Sequence, residues 1–136
     1  MRKMMNGALA LMLLATATAG LNAAQRQQDG TMTKMADGTV VVNTTTLATD
    51  VKGYRGTTPL KIYIKGSKVE KIEALKNQET PKYFARVKQQ LLTKYEGKKV
   101  AKAAKLNPDG VTGATMSSKA VKENVSRGLK YYQTHQ

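Results

Sequence analysis

The sequence predicts an α+β fold: a small antiparallel sheet with helices packed on it, in a single domain. Three observations lead there. Between residues 39 and 75, β-branched and alternating apolar residues recur with a period of two. From Pro81 onward the apolar period changes to that of a helix, and it returns in that form near the C-terminus. Turn residues separate the early segments at hairpin spacing, so strands come first and helices later.

Element by element, Asp37-Gly38 reads as a hairpin turn between a strand in Thr31–Met35 and another in Thr39–Thr46, where Val and Thr dominate. Gly53-Tyr54-Arg55-Gly56 reads as a turn leading into Pro59–Ile64. There Leu60, Ile62 and Ile64 alternate with Lys61 and Tyr63, as in a half-buried strand. Lys65–Lys68 turns the chain, and Val69–Leu75 returns beside it. Phe84, Val87, Leu91 and Tyr95 then share one helical face, with Gly97 placed to stop that helix. Residues 98–106 fit either a short strand or irregular chain. The last helix is expected to begin near Ser117 and to run to Tyr132, with Val121, Val125, Leu129 and Tyr132 in the core.

At the N-terminus, Arg2 and Lys3 precede an uncharged apolar stretch, Ala8–Ala19, and small residues at Ala23 and Ala24 offer a cleavage site. Residues 1–24 therefore read as a secretory signal peptide, and the apolar run is shorter than the ~20 residues that span a bilayer. Residues 25–38 form an N-terminal leader expected to be partly flexible, and 39–136 form the functional domain. Export places the protein in the periplasm or cell envelope. Removal of Arg2 and Lys3 alone would lower the net charge from +14 to +12.

Composition excludes several classes of function. With no cysteine and one histidine, His135, the chain cannot build an iron–sulfur cluster, a thiol-linked haem, a zinc–thiolate site or a blue-copper site. A serine hydrolase would have to recruit a histidine one residue from the C-terminus. No catalytic residue and no metal site are expected. The basic charge suits nucleic acid in principle, but the lysines are spread along the chain and there are only seven aromatic residues, so no nucleic-acid partner is expected. A solvated basic surface, one that attracts acidic partners or anionic membranes, is the ordinary explanation. Redox chemistry on this chain would need an organic cofactor.

The richest segment is Asp109-Gly-Val-Thr-Gly-Ala-Thr-Met-Ser-Ser118. It reads as a loop entering a helix. Its small residues Gly113 and Ala114 permit close backbone approach, and the helix start provides N–H groups and a positive dipole end for an anion beside Thr115. Read alone, it is also a turn followed by Ser117 or Ser118 as a helix cap. The pattern D-x-x-[S/T]-G-A-T is complete in Asp109, Thr112, Gly113, Ala114 and Thr115. It resembles the flavinylation signature of FMN-binding domains, best known from a subunit of sodium-translocating NADH:quinone reductases. Gly53-Tyr54-x-Gly56 and Glu79-Thr80-Pro81 are similar to two further elements of that family, although Lys82 stands where glycine usually follows the proline. The resemblance covers residues 39–136.

The resemblance implies FMN as cofactor, linked by a phosphoester to Thr115 and placed there by a separate FAD:protein FMN transferase. It further implies Asp109 as a recognition residue for that transferase. Thr112, Gly113, Ala114, Met116, Ser117, Ser118, Tyr54, Glu79 and Thr80 are the implied cofactor contacts. Met116 fits a filler of the helix–sheet interface equally well. The expected function is extracytoplasmic electron transfer, as a carrier or redox subunit, with partners that include membrane-bound redox proteins. Non-covalent FMN binding, or a non-redox basic envelope domain that keeps the fold, are the alternatives.

Overall fold

The computed structural model describes residues 30–136. The signal peptide expected at 1–24, and the leader up to residue 29, lie outside the described residues. The sheet is a four-stranded antiparallel meander in the order β1 (Met32–Lys34), β2 (Val40–Asn43), β3 (Leu60–Lys65) and β4 (Lys68–Ala74). It is followed by α1 (Pro81–Gln90), a short 3₁₀ turn (Leu92–Lys94), α2 (Val100–Ala103) and the long α3 (Thr115–His135). This is the α+β arrangement that the change of period predicts.

Both hairpins form where the turn residues place them. Gly38 takes a positive φ of 92°, and the Asp37 carboxylate accepts the Thr39 N–H at 3.0 Å, a hydrogen bond that holds this carboxyl below its usual range. β1 falls within the segment read as a leader, and it is an edge strand of the sheet. Between β3 and β4 the two turn residues Gly66 and Ser67 have φ of 58° and 60°, the twist that suits a tight hairpin. Met32, Val42, Ile62 and Ile72 pair in one row across all four strands, and the buried ones lie on the inner face.

One irregularity lies in β4. Ile64 pairs with Val69 and Tyr63 with Lys71, so Glu70 is an extra residue. That bulge lets Val69 and Ile72 both face the core although they are three residues apart. The outer edge of β4 is covered as well: the Gly97 N–H donates to the Val69 carbonyl at 2.7 Å, and the Val69 N–H to the Lys98 carbonyl at 2.8 Å. Gly97, at φ 80°, ends the helical run and in the same step turns the chain onto this edge. The segment 98–106 is thus a one-residue bridge at Lys99 and then α2, part strand-like and part helical. The helix predicted through Tyr95 is α1 extended by the 3₁₀ turn. Its stripe of Phe84, Val87, Leu91 and Tyr95 is buried as expected, and burial pushes the Tyr95 phenol up to about 12.

α3 crosses β2 and β3 with Val121, Val125, Leu129 and Tyr132 buried. Two features fix its height and register. At Gly128 a Cβ would stand 2.6 Å from Ile62 Cδ1 and 3.0 Å from Thr44 Cγ2, so glycine allows the helix to touch the sheet. Four residues earlier Asn124, 1% exposed, is bound on every side. Its Oδ1 accepts the Thr44 hydroxyl at 2.5 Å, and its Nδ2 donates to the Ala120 carbonyl at 2.9 Å and to Thr58 Oγ1 at 3.3 Å. Thr44 Oγ1 in turn accepts the Leu60 N–H at 2.9 Å. Arg127 adds an outer tie, with its guanidinium on the Asp50 carboxylate at 2.6 and 3.1 Å and on the Leu47 carbonyl at 3.0 Å. No helix among the described residues is long and apolar enough to cross a membrane.

Asn124→Ala removes these partners and leaves Thr44 and Thr58 facing a buried gap, so it should lower the unfolding free energy by about 2–4 kcal/mol. Urea denaturation measures it. A loss below about 1 kcal/mol would show that the network does not hold α3 on the sheet.

Candidate functional site

The site forms where three segments meet: the turn at 53–56, the start of α1 and the start of α3. In the first, the Gly53 N–H donates to the Gly56 carbonyl at 2.7 Å, closing the turn and leaving Tyr54 at its tip, 71% exposed. In the second, Thr80 is the N-cap of α1 and Pro81 its first residue, a position where the missing N–H costs nothing. The Thr80 side chain makes no cap hydrogen bond. In the third, the Ala114 N–H donates to the Val111 carbonyl at 2.9 Å, and Gly113 takes φ 84°, which turns the loop into α3.

α3 begins at Thr115, two residues before the sequence suggests. The reason is that Ser117 and Ser118 are not caps. Both are buried inside the first turn, where the Ser117 hydroxyl donates to Glu79 and Ser118 Oγ accepts the Val111 N–H at 2.9 Å. Ala114 occupies the N-cap position without a side-chain cap bond, and the first turn holds no acid. The leading N–H groups of a 21-residue helix therefore point outward with nothing to cap them. Thr115 is the first residue of that helix and is exposed. Lys122 anchors the approach to this loop, with its ammonium on Asn107 Oδ1 and on the Pro108 carbonyl, both at 2.9 Å.

Glu79 joins the three segments. It is 5% exposed, and its Oε1 accepts the Tyr54 N–H at 2.8 Å and the Ser117 hydroxyl at 2.5 Å, while Oε2 accepts the Arg55 N–H at 2.6 Å. Its own N–H is held by Asn77 Oδ1 at 3.0 Å. Gly53 makes room for this carboxylate: a Cβ there would lie 2.2 Å from Glu79 Oε1.

Between these segments opens a cleft of about 450 Å³ lined by Tyr54, Thr80, Tyr83, Gly113, Ala114, Thr115, Met116 and Ser117. The structure brings most of the expected residues together here. Three do not line it: Thr112 is exposed in the turn, Ser118 is buried behind the loop, and Glu79 is buried in the wall. Glu79 sits behind the cleft with its oxygens already committed to protein donors, so it shapes the wall. Asp109 is exposed and lines a separate groove with Lys94 and Lys98. Lys82, in the place where the family resemblance expects glycine, is exposed in the first turn of α1. Tyr83 was not anticipated. It is an exposed aromatic residue on α1 next to the buried Phe84, and only its position three residues after Thr80 hinted at it.

Of the four large apolar side chains exposed among the described residues, Tyr54, Tyr83 and Met116 line this one cleft. A slot with aromatic walls, a polar Thr80, and an uncapped helix N-terminus beside Thr115 suits a flat ring that carries a phosphate. Fold and cleft thus define a small α+β domain built for a flat anionic cofactor. The family model of the FMN-binding domain matches residues 53–130, more than half of the chain and including every cleft residue, so the protein belongs to that family and FMN is its cofactor. Neither the curated proteins nor the solved structures yield a match.

Glu79→Gln replaces one oxygen by an NH₂ group, which must then face a backbone N–H or the Ser117 hydroxyl. A loss of about 1–3 kcal/mol is expected. In a double-mutant cycle with Ser117→Ala the two changes should couple by about 0.5 kcal/mol or more. Additive effects would mean that Glu79 does not tie the helix start to the tyrosine turn.

Proposed function

We propose that this protein is an exported electron carrier that bears FMN covalently on Thr115 and works outside the cytoplasm. The observation that carries the reading is the position of Thr115. It is exposed, is the first residue of α3, and lies on the wall of the aromatic cleft beside uncapped N–H groups. A phosphodiester formed there keeps one negative charge, which the helix dipole and those N–H groups favour.

A threonine hydroxyl is a weak nucleophile, and among the described residues no histidine, aspartate or glutamate lines the cleft to activate it. The attachment therefore belongs to a separate FAD:protein FMN transferase. In that reaction Thr115 Oγ attacks the FMN-side phosphorus of FAD, the pyrophosphate bond breaks, AMP leaves, and the hydroxyl proton passes to a base of the transferase. The chain's contribution is access. Thr112, Gly113 and Thr115 are exposed, and the positive φ of Gly113 bends the loop outward ahead of the helix. Asp109, on the approach and clear of the cleft, is assigned to recognition by the transferase.

Bound FMN supplies an electron-accepting ring that the side chains of this protein cannot provide. Tyr54, Tyr83 and Met116 offer flat and apolar surface to hold such a ring, and Thr80 offers a hydroxyl. Export rests on the Arg2-Lys3 start and the uncharged run that follows. A covalent link suits that compartment, where a lost cofactor is not readily replaced.

Protein co-produced with an FAD:protein FMN transferase should stay yellow after denaturation, and its intact mass should rise by one FMN. Thr115→Ala should abolish both signals while leaving the thermal unfolding temperature within a few degrees, since the Thr115 side chain is exposed. A covalent flavin persisting in that variant would overturn the assignment.

A further inference from the structure

The face around the cleft mouth is positive on every element that borders it. Arg55 follows Tyr54 in the turn, and Lys82 precedes Tyr83 in the first turn of α1. The Arg86 guanidinium stands 5.9 Å from the centre of the Tyr83 ring. Lys119 lies one turn beyond Thr115 and Met116 on the same side of α3. All four cations are exposed, and the three ion pairs among the described residues involve none of them. First turns of helices usually gather acids. Those of α1 and α3 contain none; the first turn of α1 carries Lys82, and Lys119 directly follows the first turn of α3. The carboxylate behind the cleft, Glu79, is buried and occupied by three donors, so it offers these cations little. Elsewhere the acids are spent differently: Asp50 and Glu123 hold Arg127, and Asp37 meets Lys65.

An exposed apolar cleft whose three walls each carry exposed cations outside any ion pair is an unusual surface for a protein standing alone, because apolar exposure and like-charge crowding both disfavour it. It is an ordinary surface for a docking site with an apolar core and a charged rim. From this juxtaposition we infer that the cleft-mouth face is the docking surface for an acidic one-electron carrier protein, one whose carboxylates surround its exposed redox centre. The inference rests on the reading that the cleft holds FMN. One phosphodiester charge at Thr115 still leaves most of the rim uncompensated. The carrier's carboxylates would meet Arg55, Lys82, Arg86 and Lys119 while its redox centre faces the open side of the cleft. Complete reduction of the flavin consumes two such carriers. Each gives up one electron and leaves oxidised, and the flavin takes both electrons together with two protons from solvent. Complementary charge of this kind acts chiefly by raising the association rate.

The experiment uses the full mature protein and, as probe, an acidic plant-type [2Fe–2S] ferredoxin immobilised for surface plasmon resonance at low salt. Two triple variants carry the same net-charge change: Arg55→Glu/Lys82→Glu/Lys119→Glu at the rim, and Lys34→Glu/Lys71→Glu/Lys130→Glu remote from it. Lys130 stands about 22 Å along α3 from Thr115 at 1.5 Å per residue. The rim variant should bind at least tenfold more weakly than the parent, and the remote variant within threefold of it. Circular dichroism melts establish that both fold. Flavin absorbance is read in parallel, so a missing cofactor, which would sink the FMN reading, is seen separately from lost docking. Stopped-flow reduction of the flavin-loaded forms by reduced ferredoxin should follow the same order. Equal weakening by the two variants would overturn the inference, because it would show that overall charge and not this face governs the encounter. Tight binding to phosphatidylglycerol vesicles through the rim residues, with no measurable ferredoxin binding, would also overturn it and assign the face to a membrane.

Discussion

The carboxylate of Glu79 is the interaction on which the site depends. A buried acid needs donors, and this one takes two backbone N–H groups from the tyrosine turn and one hydroxyl from α3. Those three bonds join segments far apart in sequence, residues 53–55, 79 and 117, into one wall. The arrangement tolerates no side chain at position 53, since a methyl group there would collide with Oε1. It also explains why Ser117 lies inside the helix and not at its cap. The serine hydroxyl turns inward to the acid, and the helix starts earlier with its first N–H groups unguarded.

Behind this wall, the sheet and α3 act as the rigid frame. α3 lies close on β2 and β3 because Gly128 offers no side chain to hold it away, and Asn124 locks its register through Thr44, Thr58 and Ala120. A helix fixed in this way presents its N-terminus at a fixed place. The positive end of a 21-residue helix, set beside an exposed threonine in a cleft lined by two exposed tyrosines, is then a physical reason for an anionic, flat cofactor to settle there. Loop 107–114 is held from both ends, by Lys122 on Pro108 and by Ser118 on Val111, so the exposed Thr115 that follows it stands on a supported backbone.

Much of this was legible in the sequence because it rests on local chemistry. The alternation of Leu60, Ile62 and Ile64, the Asp37-Gly38 turn and the four-residue spacing of Val121, Val125 and Leu129 each follow from a period or a turn preference, and each element forms. The Thr115 loop was legible for a different reason: its small residues and the helix start after them form one contiguous string, and that string supplies one wall of the cleft. What stayed hidden depends on distant partners. Glu79 looks like a surface residue near a helix start, and nothing local says that its oxygens are taken by residues 54, 55 and 117. Asn124 and Gly128 look like weak helix residues until Thr44 and Ile62 are seen against them. Tyr83 sits beside the core stripe of α1, and its exposure became visible only once the opposite wall was in place. The start of α3 was set two residues late because a serine near a helix start suggests a cap, whereas tertiary partners claimed both serines.

The measurement that tests the central claim most directly is a crystal structure of the protein after co-production with the FMN transferase. The account predicts continuous electron density from Thr115 Oγ into a phosphate at the start of α3, with the isoalloxazine ring lying between Tyr54 and Tyr83 and beside Met116. Density for FMN at any other surface, or a phosphate detached from Thr115, would contradict it.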